Sequence, residues 1–302
     1  MGKVTKIWLG IASGLILLGC IIGVGAMSML NWDFRQLSTV KYETNRHEIR
    51  ENYQSITVIT DTADITFAVS EDGKHYVICH EQEKAAHSVG VTDGELVIQL
   101  VDNRKWYEHI GIPFQAPKIT VYLPRGEYGK LSIRASTGDI RLPKDFAFES
   151  ADIAVSTGDI ALFSSVAETV KLKTTTGKIT VSNVHCTGDL SVQVSTGKAK
   201  ISNVLCHSLT STGSTGDITL ENVTALEAFH IERSTGDIEL ERCDAATLYL
   251  QTDTGDIEGT LLSEKVFFVE SDTGDVEVPK TTTGGKCEIR TDTGDIEIEI
   301  WR

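Results

Sequence analysis

Ser234-Thr235-Gly236-Asp237-Ile238-Glu239-Leu240-Glu241 reads as a corner followed by a strand: glycine permits the sharp turn, and beyond it apolar and acidic residues alternate. The same element recurs along the chain. A Thr-Gly-Asp or Thr-Gly-Lys corner places its glycine at Gly138, Gly158, Gly177, Gly197, Gly216, Gly236, Gly255, Gly274 and Gly294, always 19 or 20 residues apart. One further copy, Thr187-Gly188-Asp189, falls out of phase and marks the opposite turn of its repeat.

Aligned on these glycines, the second residue onward is Ile140, Ile160, Ile179, Ala199, Ile218, Ile238, Ile257, Val276 and Ile296. The fourth is Leu142, Leu162, Val181, Ile201, Leu220, Leu240, Val278 and Ile298, broken only by Gly259. The seventh and fifth residues before the glycine form another inward pair, as in Leu131 with Ile133, Val170 with Leu172, Phe229 with Ile231 and Leu248 with Leu250. Each repeat therefore holds two strands. Two strands in about 20 residues cannot bury an apolar face alone, so successive repeats must stack. The expected fold is all-β, a β-solenoid of 19- or 20-residue coils with two strands per coil. Nine coils at the usual strand spacing make a rod of roughly 43 Å, and a right-handed wind follows from the general handedness of parallel crossovers.

Residues 31–130 fit this architecture less regularly. Asp61-Thr62-Ala63-Asp64-Ile65 is a worn copy of the corner, and alternation returns in Gly94 to Leu100 and Lys118 to Leu123. The stretch from Lys105 to Pro117, carrying Trp106, Tyr107, His109 and Phe114, is the longest irregular insertion. This region reads as an N-terminal cap on the regular repeats of residues 131–302.

The first thirty residues face a different solvent. Ile7 to Leu30 holds no charged side chain and as a helix would be about 36 Å long, enough for the roughly 30 Å of a bilayer core. Lys3 and Lys6 precede it, while Asp33 and Arg35 follow with no net positive charge. The positive-inside bias then keeps residues 1–6 in the cytoplasm and exports the rest: a single-pass protein of the cell membrane with an extracytoplasmic C-terminal domain. An uncleaved anchor is the expectation. The alternatives are a signal peptide cut near Val24-Gly25-Ala26, or lipidation at Cys20.

A formal net charge of −15 argues against nucleic acid as partner, since phosphate neutralisation needs clustered cations. Asp and Glu alternate with apolar residues, so the acid lies on strand faces. The corner residues are read as structural, with Asp accepting backbone hydrogen bonds and stacking over its equivalent. Calcium is the rival reading for the column Asp237, Asp256, Asp275 and Asp295, although the period is not the nine residues of calcium β-rolls. Cys186 and Cys206, nine residues after their glycines where other repeats have Ala167, Ala225 and Ala245, read as stacked buried thiols, with a disulfide between adjacent coils as the alternative. Cys79, Cys243 and Cys287 show no metal-ligand spacing, and most of the eight histidines lie singly among polar residues as solvated surface. No catalytic set and no cofactor motif emerges. At two corners Asp becomes Lys178 and Lys198, and with Lys171, Lys173 and Lys200 these form a basic patch suited to an anionic envelope polymer or acidic partner. The Trp106 insertion is a second candidate surface. The last strand, Asp295 to Ile300, is expected to leave an open edge guarded by Glu297 and Glu299 and available for self-association.

The repeated Ser-Thr-Gly-Asp-Ile units, with Asp93-Gly94-Glu95-Leu96 and Pro117-Lys118-Ile119-Thr120-Val121-Tyr122-Leu123-Pro124, resemble the bacterial "putative adhesin" family over about residues 40–300. The resemblance implies a β-helix-like fold and an envelope location, with adhesion as the suggested role and no catalytic residues. The expected function is a membrane-anchored, non-catalytic scaffold binding a surface protein or envelope polymer. A regulatory, envelope-stress-associated protein acting through a membrane partner is the alternative, and a cell-wall polysaccharide-active enzyme the third.

The inward and outward assignment is testable by thermal melting. Ile238→Asp buries an unpaired charge and is expected to cost several kcal/mol, on the order of the largest single-site effects, whereas Glu239→Ala changes little.

Overall fold

The computed structural model describes residues 2–29, 31–32, 40–109 and 115–301. A helix, Lys3–Met29, precedes the β region; its most apolar window has a mean hydropathy of 2.4 and none of that window is buried against the rest of the protein. This matches a single-pass membrane topology. The expected end at Leu30, and the flanking Asp33 and Arg35, lie outside the described residues.

Everything beyond is one stack of β-coils. Strands before each corner form one face and strands after it form the other, in parallel register. Ile160, for example, lies beside Ile140 on one side and Ile179 on the other, and Ile153 lies between Ile133 and Leu172. The apolar columns read from the sequence point inward and fuse into one core. Val276, 46% exposed, is the exception in the second-position column. Ala167 also departs from expectation: it is exposed, and the preceding Val166 fills the core in that coil.

The corners explain the motif. Gly255 has φ +149°, and a β-carbon there would lie 2.2 Å from the carbonyl oxygen of Gly236 in the adjacent coil. Backbone conformation and stacking both demand glycine. The aspartate beside it reaches to the neighbouring coil and accepts a backbone hydrogen bond. The amide of Asp139 donates to Asp64 Oδ1 at 3.0 Å, that of Asp159 to Asp139 Oδ1 at 2.9 Å, and that of Asp256 to Asp237 Oδ1 at 2.9 Å. The worn copy at Asp64 thus starts the ladder. A second corner, not foreseen, is marked by Asn183, Asn203, Asn222 and Arg242, all with positive φ between 51° and 59°. Asparagine tolerates this left-handed conformation, and its amide stacks: Asn222 Nδ2 donates to Asn203 Oδ1 at 3.2 Å, and Arg242 Nε closes the row on Asn222 Oδ1 at 2.8 Å.

At both ends the coils stack out of sequence order. Gly285–Thr293 lies between Ile238–Thr254 and Lys265–Thr273, and Ile296–Glu297 pairs with both Ile257–Glu258 and Val276–Glu277. The expected open edge at the last strand is therefore corrected in part: the coil at Gly274 lies outside it and pairs with Ile296–Glu297, whereas among the described residues 298–300 pair only with 259–261. Pro279 directly follows Val278 in that coil, and a residue without an N–H suits an edge rather than an interior ladder. At the other end Ser55–Thr62 is enclosed by Glu95–Asp102 and Gly126–Thr137. Antiparallel strands complete that end. Ala85–Thr92 turns onto Glu95–Asp102 through Asp93-Gly94, both at positive φ as a two-residue hairpin requires, while His75–Gln82 links Tyr42–Ile49 to Lys118–Leu123.

Two predictions follow from this geometry. In a chain with Cys20→Ser, the pair Glu258→Cys and Glu297→Cys is expected to form a disulfide readable by peptide mass spectrometry. Glu258→Cys with Glu277→Cys, adjacent only if coils stacked in sequence order, is expected to remain reduced. For the ladder, Asp256→Asn keeps the acceptor for the Asp295 amide and is expected to melt near the parent, whereas Asp256→Ala loses about 1–2 kcal/mol in denaturant titration.

Candidate functional site

The aspartate ladder is interrupted once, at the two lysine corners. Asp159 Oδ1 accepts the Lys178 amide at 2.7 Å, but Lys178 and Lys198 offer no carboxylate to the next coil. The ladder resumes at Asp217, which accepts the Asp237 amide at 3.3 Å. The amides of Lys198 and Asp217 consequently have no hydrogen-bond partner among the described residues. Beyond the gap, Asp237, Asp256, Asp295 and Asp275 follow one another in space, each of the first three accepting the next amide through Oδ1. Asp237, Asp256 and Asp295 thus each spend Oδ1 on a neighbouring amide, while Asp275 ends the row and accepts none among the described residues.

The predicted lysines surround the gap. Lys178 and Lys198 stand on the corner, Lys171 and Lys173 point outward from Val170–Thr176, and Lys200 points outward from Ala199–Thr215 on the other face. Lys198 Nζ pairs with Asp217 Oδ2 at 2.9 Å and Lys200 Nζ with Glu221 Oε2 at 3.7 Å. Among the described residues Lys171, Lys173 and Lys178 form no ion pair. The Lys198 ammonium, through its hydrogen bond, holds the Asp217 carboxyl below its usual range despite partial burial.

Sequence reasoning missed a further cation behind this corner. Arg233 takes an inward position and is only 4% exposed, and its coil neighbour Gly213 leaves room: a β-carbon there would meet Arg233 Nη1 at 3.2 Å. Arg233 Nη2 donates to Ser211 Oγ at 2.9 Å and Nη1 to the Glu232 carbonyl at 2.8 Å. Burial pulls this guanidinium down to about 10, partly opposed by the charge of Asp217, so it stays cationic at neutral pH. An arginine beside a glycine at equivalent places in adjacent repeats was the available signal.

Trp106, the other predicted contact, stands in a short 3-10 turn, Trp106–His109, and is 77% exposed. The aromatic residue Phe114 of that insertion lies outside the described residues.

The N-terminal strands hold a polar cluster that corrects the expectation of solvated histidines. His87, 4% exposed, bonds Glu81 Oε2 through Nδ1 at 2.7 Å, while its Nε2 lies 2.9 Å from Thr60 Oγ1. Asn45 Nδ2 donates to Glu81 Oε1 at 2.8 Å. Burial opposes ionisation of Glu81, but the hydrogen bonds from His87 and Asn45 outweigh it and hold the carboxyl below its ordinary range. Hydroxyl, imidazole and carboxylate stand in the order of a hydrolytic triad, yet Thr60 is 6% exposed. His87, not Thr60, lines the adjoining cleft of about 680 Å³, which Tyr42, Gln82 and Arg104 also line. These hydrogen bonds join Ser55–Thr62 to His75–Gln82 and Ala85–Thr92 inside the fold. Cys79 is buried in the same cluster; burial, reinforced by the charge of Glu81, pushes its thiol up to about 12. Cys186 and Cys206 are free buried thiols, as expected.

These features can be set beside known proteins. No curated protein matches the chain in sequence. In structure it is similar to a putative adhesin from Parabacteroides distasonis ATCC 8503 (TM-score 0.50, 10% identity, 86% of this chain and 98% of that one). A putative adhesin from Bacteroides fragilis NCTC 9343 gives 0.47 at 15% identity, over 86% and 97% of the two chains. One from Parabacteroides merdae ATCC 43184 gives 0.46 at 12%, again over 86% and 97%. At such identities the first likeness speaks for the fold alone. The sequence itself matches the model of the toastrack family DUF4097 over residues 53–242 and 187–301, nearly the whole β region. The chain, with its glycine corners and aspartate ladder repeated along one stack of coils, belongs to the toastrack DUF4097 family.

Proposed function

We propose that this chain is a membrane-anchored, extracytoplasmic scaffold that binds an anionic envelope polymer at the corner of Lys178 and Lys198. One observation carries the reading. Where other corners seat an aspartate carboxylate on the next coil's amide, this corner leaves the amides of Lys198 and Asp217 without an acceptor, beside exposed ammonium groups. A phosphate or carboxylate of the polymer takes the place of the missing side chain. It would gain two backbone donors and the charge of Lys178, with Lys171 and Lys173 extending the attraction along one face.

The acidic remainder of the domain disfavours anions elsewhere, so binding concentrates at this corner. Lys198 is shared with Asp217, which moderates affinity and leaves Lys178 as the principal free cation. A polymer that repeats its charge compensates through many weak contacts, as multivalent attachment to a surface requires.

The test is binding of the full chain in detergent to purified anionic wall polymer, with a variant carrying Lys178→Asp and Lys198→Asp. Both substitutions restore the ladder carboxylates. Apparent affinity is expected to fall by about tenfold or more, and the parent's binding to weaken steeply with salt. Equal binding by both proteins would refute the site, and binding by neither would turn attention to a membrane-protein partner.

A further inference from the structure

We propose that His47, Cys79 and Glu81 form a binding site for a thiophilic divalent cation of the zinc class, fastening the first strand after the membrane helix to the stack. One ligand atom from each of the three residues lies within 4.8 Å of the others. The strands dictate the grouping. Tyr42–Ile49 runs antiparallel to His75–Gln82 with Asn45 opposite Cys79 and His47 opposite Val77, so His47 sits diagonally across from Cys79 on the inward face. Glu81 follows Cys79 by two residues and shares that face.

The cluster contains an unexplained group. His47 Nε2 is buried and has no hydrogen-bond partner. An orphaned buried ring nitrogen is costly, and a bound ion is one of the few things that account for it. Cys79 Sγ, fully buried, also makes no hydrogen bond among the described residues. Glu81 Oε2 is held by both the His87 amide and His87 Nδ1, each at 2.7 Å, while Oε1 accepts only from Asn45 Nδ2 and keeps a lone pair for the ion. Hydrogen bonds of that kind behind a ligating carboxylate are the outer support that metal sites use.

The donor set selects the ion. Nitrogen, sulfur and oxygen together suit zinc or cobalt, whereas calcium and magnesium prefer oxygen alone. Metal–ligand bonds of about 2.0–2.3 Å separate tetrahedral ligands by roughly 3.3–3.8 Å, so the three side chains need to close by about 1 Å. On loading, the cation replaces the Cys79 thiol proton, which leaves to solvent, and no electron is transferred. A water molecule completes the fourth position. The consequence is mechanical: among the described residues Tyr42–Ile49 pairs with His75–Gln82 alone, and the ion ties this strand, the first described after the membrane helix, to the stack.

The experiment uses the full chain in detergent, stripped with a chelator and titrated with Co²⁺, then Zn²⁺. Expected are one equivalent of cobalt with a thiolate charge-transfer band, displacement by zinc, and a higher melting temperature. Cys79→Ala and His47→Gln should abolish the band, Glu81→Gln should weaken binding at least about tenfold, and Cys243→Ala should leave it intact. Absence of the band in the parent, or its persistence in Cys79→Ala, overturns the site. If the variants fail to fold by circular dichroism, X-ray absorption at the zinc edge of the parent decides. One sulfur among nitrogen and oxygen ligands supports the site; no sulfur, or several, overturns it.

Discussion

Adjacent coils approach so closely at the glycine corner that a β-carbon on Gly158 or Gly177 would lie 2.1 Å from a carbonyl oxygen of the coil beside it. This contact sets the stack. It fixes strand spacing at the corner, forces positive φ, and brings each aspartate within reach of a neighbouring amide. Once the corners are in register, the isoleucine two places on has to fall on its equivalent, and the apolar columns fuse into one core. A repeat has no comparable core of its own, so stability is shared between neighbours.

The ends of such a stack are its weak points, because a terminal coil exposes an unpaired ladder. Both ends solve this by sending the chain outward and back. The C-terminal segment, with the complete apolar pattern of Cys287, Ile289, Ile296 and Ile298, is the better interior coil and takes the inner place. The segment broken by Pro279 goes outside. At the other end, Ser55–Thr62 pairs in parallel with Glu95–Asp102 and Gly126–Thr137, and the antiparallel strands around them carry a polar cluster into the core. Hydrogen bonds there satisfy Glu81 and His87, whereas His47 Nε2 is the one buried side-chain nitrogen or oxygen among the described residues left without a partner.

Departures from the repeat are few and local. A coil that obeys the pattern spends its aspartate on backbone. Lys178 and Lys198 break that exchange, and Arg233 adds a buried cation behind them, so a positively charged corner appears on a strongly acidic protein. The toastrack architecture makes such local rewriting cheap in stability, because the corner side chain lies outside the core.

The sequence alone determined the period, the inward and outward faces, the glycine corners, the apolar helix and the place of the unusual lysines. Each of these is a local or strictly periodic property, legible from spacing. Only the tertiary structure decided the coil order, since Asp275 and Asp295 carry the same motif and nothing in their spacing says which is outermost. Likewise, His47 and Cys79 stand 32 residues apart, and Cys79 and His87 carry no ligand or triad spacing. They meet because strand pairing joins Tyr42–Ile49 to His75–Gln82 and packs Ser55–Thr62 against the inward face. Contacts made between coils depend on which strands become neighbours, and that choice belongs to the global balance of buried surface rather than to any single repeat.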